Sequence, residues 1–214
     1  MSASEPVFRM VALACLLTAV IISFYHRLRA NRVGGDKLDR RQEGWLLLVI
    51  LRLGGLVLWT SMIAYLINPG WMAWGQLHLP ASLRWAGAAG AVTGIALLTW
   101  MFRSLGNNIT DTVVTRREHS LVTSGPYRWM RHPLYSFATF TFLSLSLVMA
   151  SWIVALLILL AFVLLALRTS KEEEQLIERY GDSYREYIRQ TGRFLPRLAK
   201  RASKTDSREA SDGK

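Results

Sequence analysis

Long apolar blocks constrain this chain more than any other feature of its sequence. They lie at residues 7–28, 45–67 and 84–102, and a continuous run extends from about 134 to 168. A segment that crosses lipid needs about 20 predominantly apolar residues, because no water is present there to satisfy backbone groups. The charged residues, 19% of the chain, lie mostly between these blocks. We therefore expect an all-α fold, a polytopic membrane helix bundle.

The last apolar run is too long for one span. At about 1.5 Å per residue it could reach roughly 50 Å, whereas a hydrocarbon core is about 30 Å thick. Cationic residues flank it on both sides, with Arg128 and Arg131 before it and Arg168 and Lys171 after it. Two short antiparallel helices that turn near residues 150–152 fit this pattern better. The chain then has about five transmembrane helices.

The distribution of cationic residues predicts the orientation of these helices. The first loop carries Arg27, Arg29, Arg32, Lys37, Arg40 and Arg41. The third loop carries Arg103, Arg116, Arg117, Arg128 and Arg131. The second loop, residues 68–83, has neither lysine nor arginine. Because short cytoplasmic loops are enriched in these residues, we expect the N-terminus outside and the first loop, third loop and C-terminus in the cytoplasm.

The net charge of +11 is concentrated in these loops and in the C-terminal residues. Residues 197–214 are rich in Lys, Arg, Ser and Asp without periodicity, which predicts a disordered basic tail near anionic lipid. We expect the bilayer as a partner, and neither nucleic acid nor a bound metal. The single cysteine, Cys15, lies in the first apolar block and cannot form an intrachain disulfide.

Two features inside the spans concern packing. Small residues recur in the third block at Gly87, Ala88, Gly90, Ala91 and Gly94, and in the second block at Gly54 and Gly55. Such residues let helices approach closely, so we expect helix packing at both places. Arg52 lies inside the second block, where a charge is expensive. It either extends to the cytoplasmic face or lines a polar cavity.

The segment that follows the last apolar run predicts a bent amphipathic helix. An apolar and aromatic stripe recurs at helical spacing: Leu176, Tyr180, Tyr184 and Tyr187. Gly181 is placed to end a first helical piece, Ser183 and Glu186 form a capping box for a second, and Gly192 and Pro196 end it. We expect the tyrosine side to lie on the membrane surface or to cover a site.

Two polar motifs border the last apolar run. GPYRWMRHPLY occupies residues 125–135, at the end of a loop of about thirty residues whose glycines, prolines and aromatics favour an ordered structure. EEEQLIERYGDSYREY occupies residues 172–187. Each motif alone is common beside a membrane span, as a positive-inside signal or a solvated helix start. Their combination is more specific.

Together the two motifs resemble the isoprenylcysteine carboxyl methyltransferase and phospholipid methyltransferase superfamily. The resemblance covers residues 103–196, which leaves residues 1–102 as three N-terminal membrane helices and residues 197–214 as the tail. It implies an integral membrane enzyme that uses S-adenosyl-L-methionine and whose cofactor site is built from the two motifs.

The resemblance and the residue chemistry together predict a site. The expected catalytic residues are Arg131, His132, Glu173 and Arg193. The expected cofactor-binding residues are Tyr127, Arg128, Arg131, His132, Pro133, Tyr135, Glu172 and Glu173. Arg128 or Arg131 can hold the cofactor carboxylate with a bidentate pair of hydrogen bonds. A glutamate can accept from ribose or amino groups, and aromatic rings can face adenine and the sulfonium.

The acceptor is expected to be a lipophilic small molecule or lipid that enters from the bilayer. An ionised carboxylate or thiolate acceptor needs positioning and desolvation, whereas an amine needs a base such as His132 or Glu173. Two positions depart from the superfamily pattern. Phe137 stands where a small residue is usual, and Gly192 stands where proline is frequent.

Two other functions fit parts of the pattern. Membrane sterol and steroid reductases carry a similar RHP-x-Y segment and use NADPH, although their N-terminal membrane regions are usually longer. A non-catalytic scaffold would use the basic loops and tail to recruit anionic lipid or a partner.

Overall fold

The computed structural model describes residues 5–32, 45–105 and 121–197. These residues form six α-helices: α1 (Glu5–Arg32), α2 (Trp45–Ile67), α3 (Ala81–Leu105), α4 (Pro133–Val148), α5 (Trp152–Tyr180) and α6 (Asp182–Gln190). Short 3-10 helices occupy Pro69–Gly75 and Gly125–Arg128, and no β-strand occurs in the part of the chain described. The expected all-α membrane bundle is confirmed.

Four of these helices, α1, α2, α3 and α5, are long and apolar enough to cross a membrane. The fifth expected span, α4, has 16 residues, about 24 Å of helix, and is shorter than a typical hydrocarbon core. The predicted turn between α4 and α5 is present at residues 149–151, where Ala150 has a φ of 50°. Ser151 caps α5 by accepting a hydrogen bond from the Val154 amide at 3.4 Å.

A buried ion pair joins the helices at the end where α1 begins, here called the Glu5 end. Arg84 Nη1 lies 2.7 Å from Glu5 Oε2, and Arg84 Nε donates to the Val148 carbonyl at 2.8 Å. Tyr65 Oη donates to Glu5 Oε1 at 2.7 Å. One cluster therefore joins the starts of α1 and α3 to the ends of α2 and α4, so that α2 and α4 run in the same direction.

Close packing of α3 on α4 confirms the expected role of the small residues in the third apolar block. A Cβ atom at Gly87 would come within 2.7 Å of the Ser144 carbonyl oxygen, and one at Gly94 would overlap with Thr141. Only glycine permits this approach of the two backbones. Because α4 carries one half of the predicted site at its start, its position against α3 also positions that site.

The second helix packs differently along its length. Its buried residues, Met62 and Tyr65, lie toward the Glu5 end, whereas nothing among the described residues lies within 4 Å of a Cβ placed on Gly54 or Gly55. The expectation of helix packing at this glycine pair was therefore wrong for the described structure. Arg52 is exposed, which agrees with extension toward the membrane surface rather than with a polar cavity.

A short uncharged segment covers the turn between α4 and α5. The Leu77 amide donates to the Ala150 carbonyl at 2.6 Å, and Gly75 packs against Ile153. Trp71 and Trp74 of the same segment point outward and are 61% and 73% exposed. Tryptophan is favoured at membrane–water boundaries, so this segment fits an interfacial position.

The amphipathic helix after the last span is present but begins differently from the prediction. The fifth helix continues without interruption to Tyr180, and Gly181, with a φ of 57°, ends it as expected. The capping box at Ser183 was wrong, because α6 starts one residue after the glycine and no side chain caps it. Tyr184 and Tyr187 are buried, so this side of α6 covers protein.

Candidate active site

The first motif folds into a 3-10 helix, Gly125–Arg128, followed by a turn that leads into α4. Gly125 adopts a φ of 59°, and a Cβ atom there would overlap with Ser104 at the end of α3. Pro133 occupies the first turn of α4, where its missing amide hydrogen costs nothing. The sequence RHP thus positions two polar side chains at the start of a membrane helix.

Glu173 is the centre of the site. Its Oε1 accepts from Arg131 Nε at 2.7 Å and lies 3.2 Å from His132 Nε2. Its Oε2 lies 3.3 Å from Arg193 Nη2. The carboxylate is 14% exposed, so these contacts form in a largely desolvated place where charge-assisted hydrogen bonds are strong.

Arg131 connects this carboxylate to the end of α6. Its Nη1 donates to the carbonyls of Thr191 at 2.6 Å and Ile188 at 3.2 Å. With its side chain 9% exposed, Arg131 is committed to protein groups through Nε and Nη1. The idea that Arg131 holds the cofactor carboxylate with a bidentate pair does not fit this arrangement, in which it positions Glu173.

Aromatic rings form one wall of the site. The His132 and Tyr135 rings are stacked with centroids 5.7 Å apart, and the Phe194 ring lies 5.8 Å from His132. The ring of Phe162 in α5 contacts that of Phe194, with centroids 5.2 Å apart. Tyr135 Oη donates to Glu172 Oε2 at 3.1 Å, so Glu172 contacts the first turn of α4 while Glu173 contacts Arg131 and His132 directly before it.

Arg193 has unused donor capacity at the site. Its Nη2 donates to Ser170 Oγ at 3.0 Å as well as contacting Glu173. Its Nε is buried and has no hydrogen-bond partner among the described residues. A buried guanidinium nitrogen without a partner is costly, and its side chain is 34% exposed, so an anionic group from outside the chain can complete it.

Residues 191–197 close the site by pairing with the turn before α4. The amides of Arg131 and His132 donate to the carbonyls of Gly192 and Arg193, at 2.9 and 3.0 Å. The amides of Gly192 and Arg197 both donate to the Trp129 carbonyl at 3.0 Å.

The glycine that departs from the superfamily pattern has a structural reason. A Cβ atom at Gly192 would overlap with the Leu195 carbonyl oxygen. Backbone pairing, rather than a proline, rigidifies this closure.

The remaining predicted residues lie at the edge of this cluster. Tyr127 donates to Met101 Sδ at 3.3 Å, and its own carbonyl accepts from Tyr187 Oη at 2.6 Å. Burial raises the pKa of both phenols. Arg128 is exposed and lies over Trp129 at 5.1 Å, outside the Glu173 cluster.

Some of the site could not be read from the motifs. Ser136 donates to the Phe194 carbonyl at 2.6 Å, and neither it nor Ser170 had a recognisable signal. The unusual Phe137 packs among Met101, Phe102 and Met130. Residues 106–120 of the third loop, including Arg116 and Arg117, lie outside the described residues, so their expected order is not tested.

With this geometry established, comparison with known proteins assigns a family. Residues 86–178 match the family model described as the isoprenylcysteine carboxyl methyltransferase (ICMT) family. This segment belongs to the ICMT superfamily. It includes α4, most of α5 and the pair Glu172 and Glu173, and it ends before Arg193.

Three curated relatives match parts of this ICMT-related chain. The nickel-cobalt-cadmium resistance protein NccN of Alcaligenes xylosoxydans xylosoxydans is 26% identical over 65% of this chain and 62% of its own. The cobalt-zinc-cadmium resistance protein CzcN of Cupriavidus metallidurans is 36% identical over 39% of each. The protein-S-isoprenylcysteine O-methyltransferase of Dictyostelium discoideum is 30% identical over 54% of this chain and 50% of its own. The chain thus spans less than two thirds of each relative.

A solved structure shows the same fold. The eukaryotic intramembrane Ras methyltransferase ICMT aligns with a TM-score of 0.50 at 19% identity, covering 74% of this chain and 54% of that one. At this identity the likeness concerns the helical membrane architecture.

Proposed function

We propose that this protein is a membrane-embedded methyltransferase that uses S-adenosyl-L-methionine to methylate a lipophilic acceptor. The observation that carries the proposal is the meeting of the RHP turn with Glu172 and Glu173, closed by Arg193. Family membership of residues 86–178 supports the methyltransferase class. The positive-inside distribution supports a site on the cytoplasmic side, with the N-terminus outside.

The residues present fit the chemistry of this cofactor. Arg193, with its buried Nε lacking a partner among the described residues, suits the cofactor carboxylate. Glu172 can accept from a ribose hydroxyl or the amino group, and the rings of Tyr135 and Phe194 offer faces to adenine or to a cation. When bound, the cofactor supplies an electrophilic methyl group on sulfur.

The chain's own residues then position the cofactor and the acceptor, and they do not activate the acceptor by removing a proton. Both oxygens of Glu173 are occupied by Arg131, His132 and Arg193, so neither is open to accept a proton. An acceptor that is already ionised, such as a carboxylate or thiolate, needs no base and is favoured over an amine. Orientation and exclusion of water at the membrane boundary would supply the rate enhancement.

Binding of S-adenosylhomocysteine to purified protein tests the cofactor assignment. We expect measurable binding by isothermal titration, and about a tenfold or greater loss in Arg193→Gln, since a hydrogen bond to a charged group contributes about 1.5–3 kcal/mol. Arg189→Gln on exposed α6 removes the same charge away from the site and is expected to bind normally. Absence of binding to the unmodified protein contradicts the proposal.

A labelled-methyl assay on total membrane lipid, with the product identified by mass, tests the reaction and the acceptor. Methylated carboxyl or thiol products are the expected outcome. Quenching of NADPH fluorescence on mixing, without methyl transfer, would favour a reductase instead.

A further inference from the structure

Backbone pairing of the closing segment, residues 191–197, with the turn before α4 stops at a proline. The amides of Arg131 and His132 donate to two consecutive carbonyls of this segment, at 2.9 and 3.0 Å. The next residue on the donating side is Pro133, which has no backbone N–H. The next carbonyl on the accepting side, that of Phe194, therefore follows the last amide donor of this series.

A side-chain hydroxyl supplies the donor that the proline lacks. Ser136, in the first turn of α4, donates from Oγ to the Phe194 carbonyl at 2.6 Å. Side chains of a helix lean toward its N-terminus, which brings this hydroxyl toward the turn before α4. A helical serine often donates to the carbonyl four residues earlier in its own helix, as Ser144 does to Phe140 at 2.8 Å. The Ser136 hydroxyl donates to the closing segment instead.

The residue held in this way belongs to the wall of the site. The centroid of the Phe194 ring lies 5.8 Å from that of His132 and 5.2 Å from that of Phe162. The Arg193 guanidinium lies 5.8 Å from the same centroid, and its Nη2 is 3.3 Å from Glu173 Oε2. The position of the Phe194 carbonyl therefore sets where the ring and the neighbouring guanidinium lie relative to the carboxylate.

The middle of the closing segment has few other attachments. Among the described residues, the next backbone hydrogen bond after Phe194 joins the Arg197 amide to the Trp129 carbonyl at 3.0 Å. Leu195, which lies between these two attachments, is 77% exposed and packs little. Loss of the Ser136 hydroxyl would therefore release this stretch without breaking the pairing that precedes it.

We propose that Ser136 is a positioning residue of the site. Its hydroxyl, in place of the amide that Pro133 lacks, holds Phe194 and Arg193 in the geometry that binds the cofactor. The inference rests on the proposed methyltransferase function, in which Arg193 receives the cofactor carboxylate. Position 136 accordingly requires a residue that donates a hydrogen bond, and an apolar residue of similar size does not replace it.

Binding of S-adenosylhomocysteine and hydrogen exchange, both measured on the full chain in phosphatidylcholine nanodiscs, test this role. Ser136→Ala should weaken binding about fivefold, the change expected from the loss of one hydrogen bond of ordinary net strength. It should also speed exchange of the Arg197 amide. The Arg131 amide should exchange as before, because its acceptor does not depend on Ser136. Ser136→Thr keeps the donor and should behave like the unmodified protein.

Two comparisons separate positioning from a general loss of stability. Ser144→Ala removes a serine hydroxyl further along the same helix, whose hydrogen bond stays within α4, and should leave binding unchanged. In the Arg193→Gln background, Ser136→Ala should weaken binding less than it does alone, because part of its effect passes through the guanidinium already removed. A substitution that only destabilises the fold would cause the same loss in both backgrounds.

Unchanged binding and exchange in Ser136→Ala would overturn the proposal. A loss in Ser136→Thr as large as that in Ser136→Ala, or an equal loss in Ser144→Ala, would overturn it as well. Faster exchange of the Arg197 amide in Ser136→Ala, in a chain that does not bind S-adenosylhomocysteine even when unmodified, would support the anchoring by Ser136 and overturn the cofactor assignment.

Discussion

Arg131 and Glu173, 42 residues apart in sequence, form an ion pair of 2.7 Å between Nε and Oε1 on which both halves of the site converge. Arg131 continues to the carbonyls at the end of α6, and Glu173 continues to His132 and Arg193. The pair therefore holds in place both the site and the segment 191–197 that closes it.

Glu173→Gln should destabilise the protein by about 3 kcal/mol, because it leaves buried Arg131 without its charge partner. The measurement is thermal unfolding in detergent. Glu174→Gln, at the exposed neighbouring position, removes the same charge and should change stability by less than about 0.5 kcal/mol. Equal midpoints for the two variants would contradict the central role of this pair.

The phenol of Tyr187 should make stability depend on pH in the alkaline range. Burial raises its folded-state pKa above the ordinary value of about 10, so its stabilisation is fully present below about pH 10 and is lost as the pH rises through the folded-state pKa. Tyr187→Phe should flatten the alkaline decline in the free energy of unfolding.

The same substitution has a cost at neutral pH. It leaves the Tyr127 carbonyl without the 2.6 Å hydrogen bond, which should cost about 1–3 kcal/mol. Chemical denaturation at pH 7 and at several higher pH values measures both effects. Tyr127 and Tyr184 also have raised pKa values, so part of the alkaline decline should persist.

Gly192→Ala should weaken the closure more than Gly181→Ala. A Cβ at Gly192 overlaps with the Leu195 carbonyl and forces the backbone to shift. Gly181 has open space, so a side chain there meets only the cost of its backbone conformation, φ 57° and ψ −130°, about 1–3 kcal/mol. Hydrogen exchange of the Arg131 and His132 amides measures the closure directly. Faster exchange in Gly181→Ala than in Gly192→Ala would refute this ranking.

Removal of both partners of the pair at the Glu5 end should be less harmful than removal of one. Glu5→Gln leaves the Arg84 guanidinium buried without a counter-charge and should cost about 3–5 kcal/mol. Glu5→Gln combined with Arg84→Leu removes that uncompensated charge and should recover part of the loss. Thermal unfolding of Glu5→Gln, Arg84→Leu and the double variant is measured in detergent, and a double-variant loss equal to the sum of the two single losses would show that the charges do not interact.

Periodicity and block length predicted the helices well because lipid leaves few alternatives for an apolar segment. The turn near residues 150–152 and the end of a helix at Gly181 followed from the same local rules. The start of α6 did not, because a glycine with positive φ replaced the side-chain cap that Ser183 suggested.

The candidate site was predictable where it depends on charge. Arg131, His132, Glu173 and Arg193 were expected together and lie together. Which groups each of these side chains contacts was not predictable. Arg131 donates to backbone carbonyls at the end of α6, and backbone carbonyls are present whatever the sequence. The contact of Ser136 with Phe194 depends likewise on a backbone oxygen.

The pairing of residues 191–197 with Trp129 and its neighbours also sets an order of events during synthesis. The ribosome releases this strand-like stretch only after all the long apolar helices have been made, so the membrane insertion of those helices precedes completion of the pocket. Until then the backbone amides of Arg131 and His132 lack their hydrogen-bond acceptors, the carbonyls of Gly192 and Arg193. A released chain that ends before residue 191 should therefore insert all its long apolar helices in the bilayer and still be unable to hold a ligand.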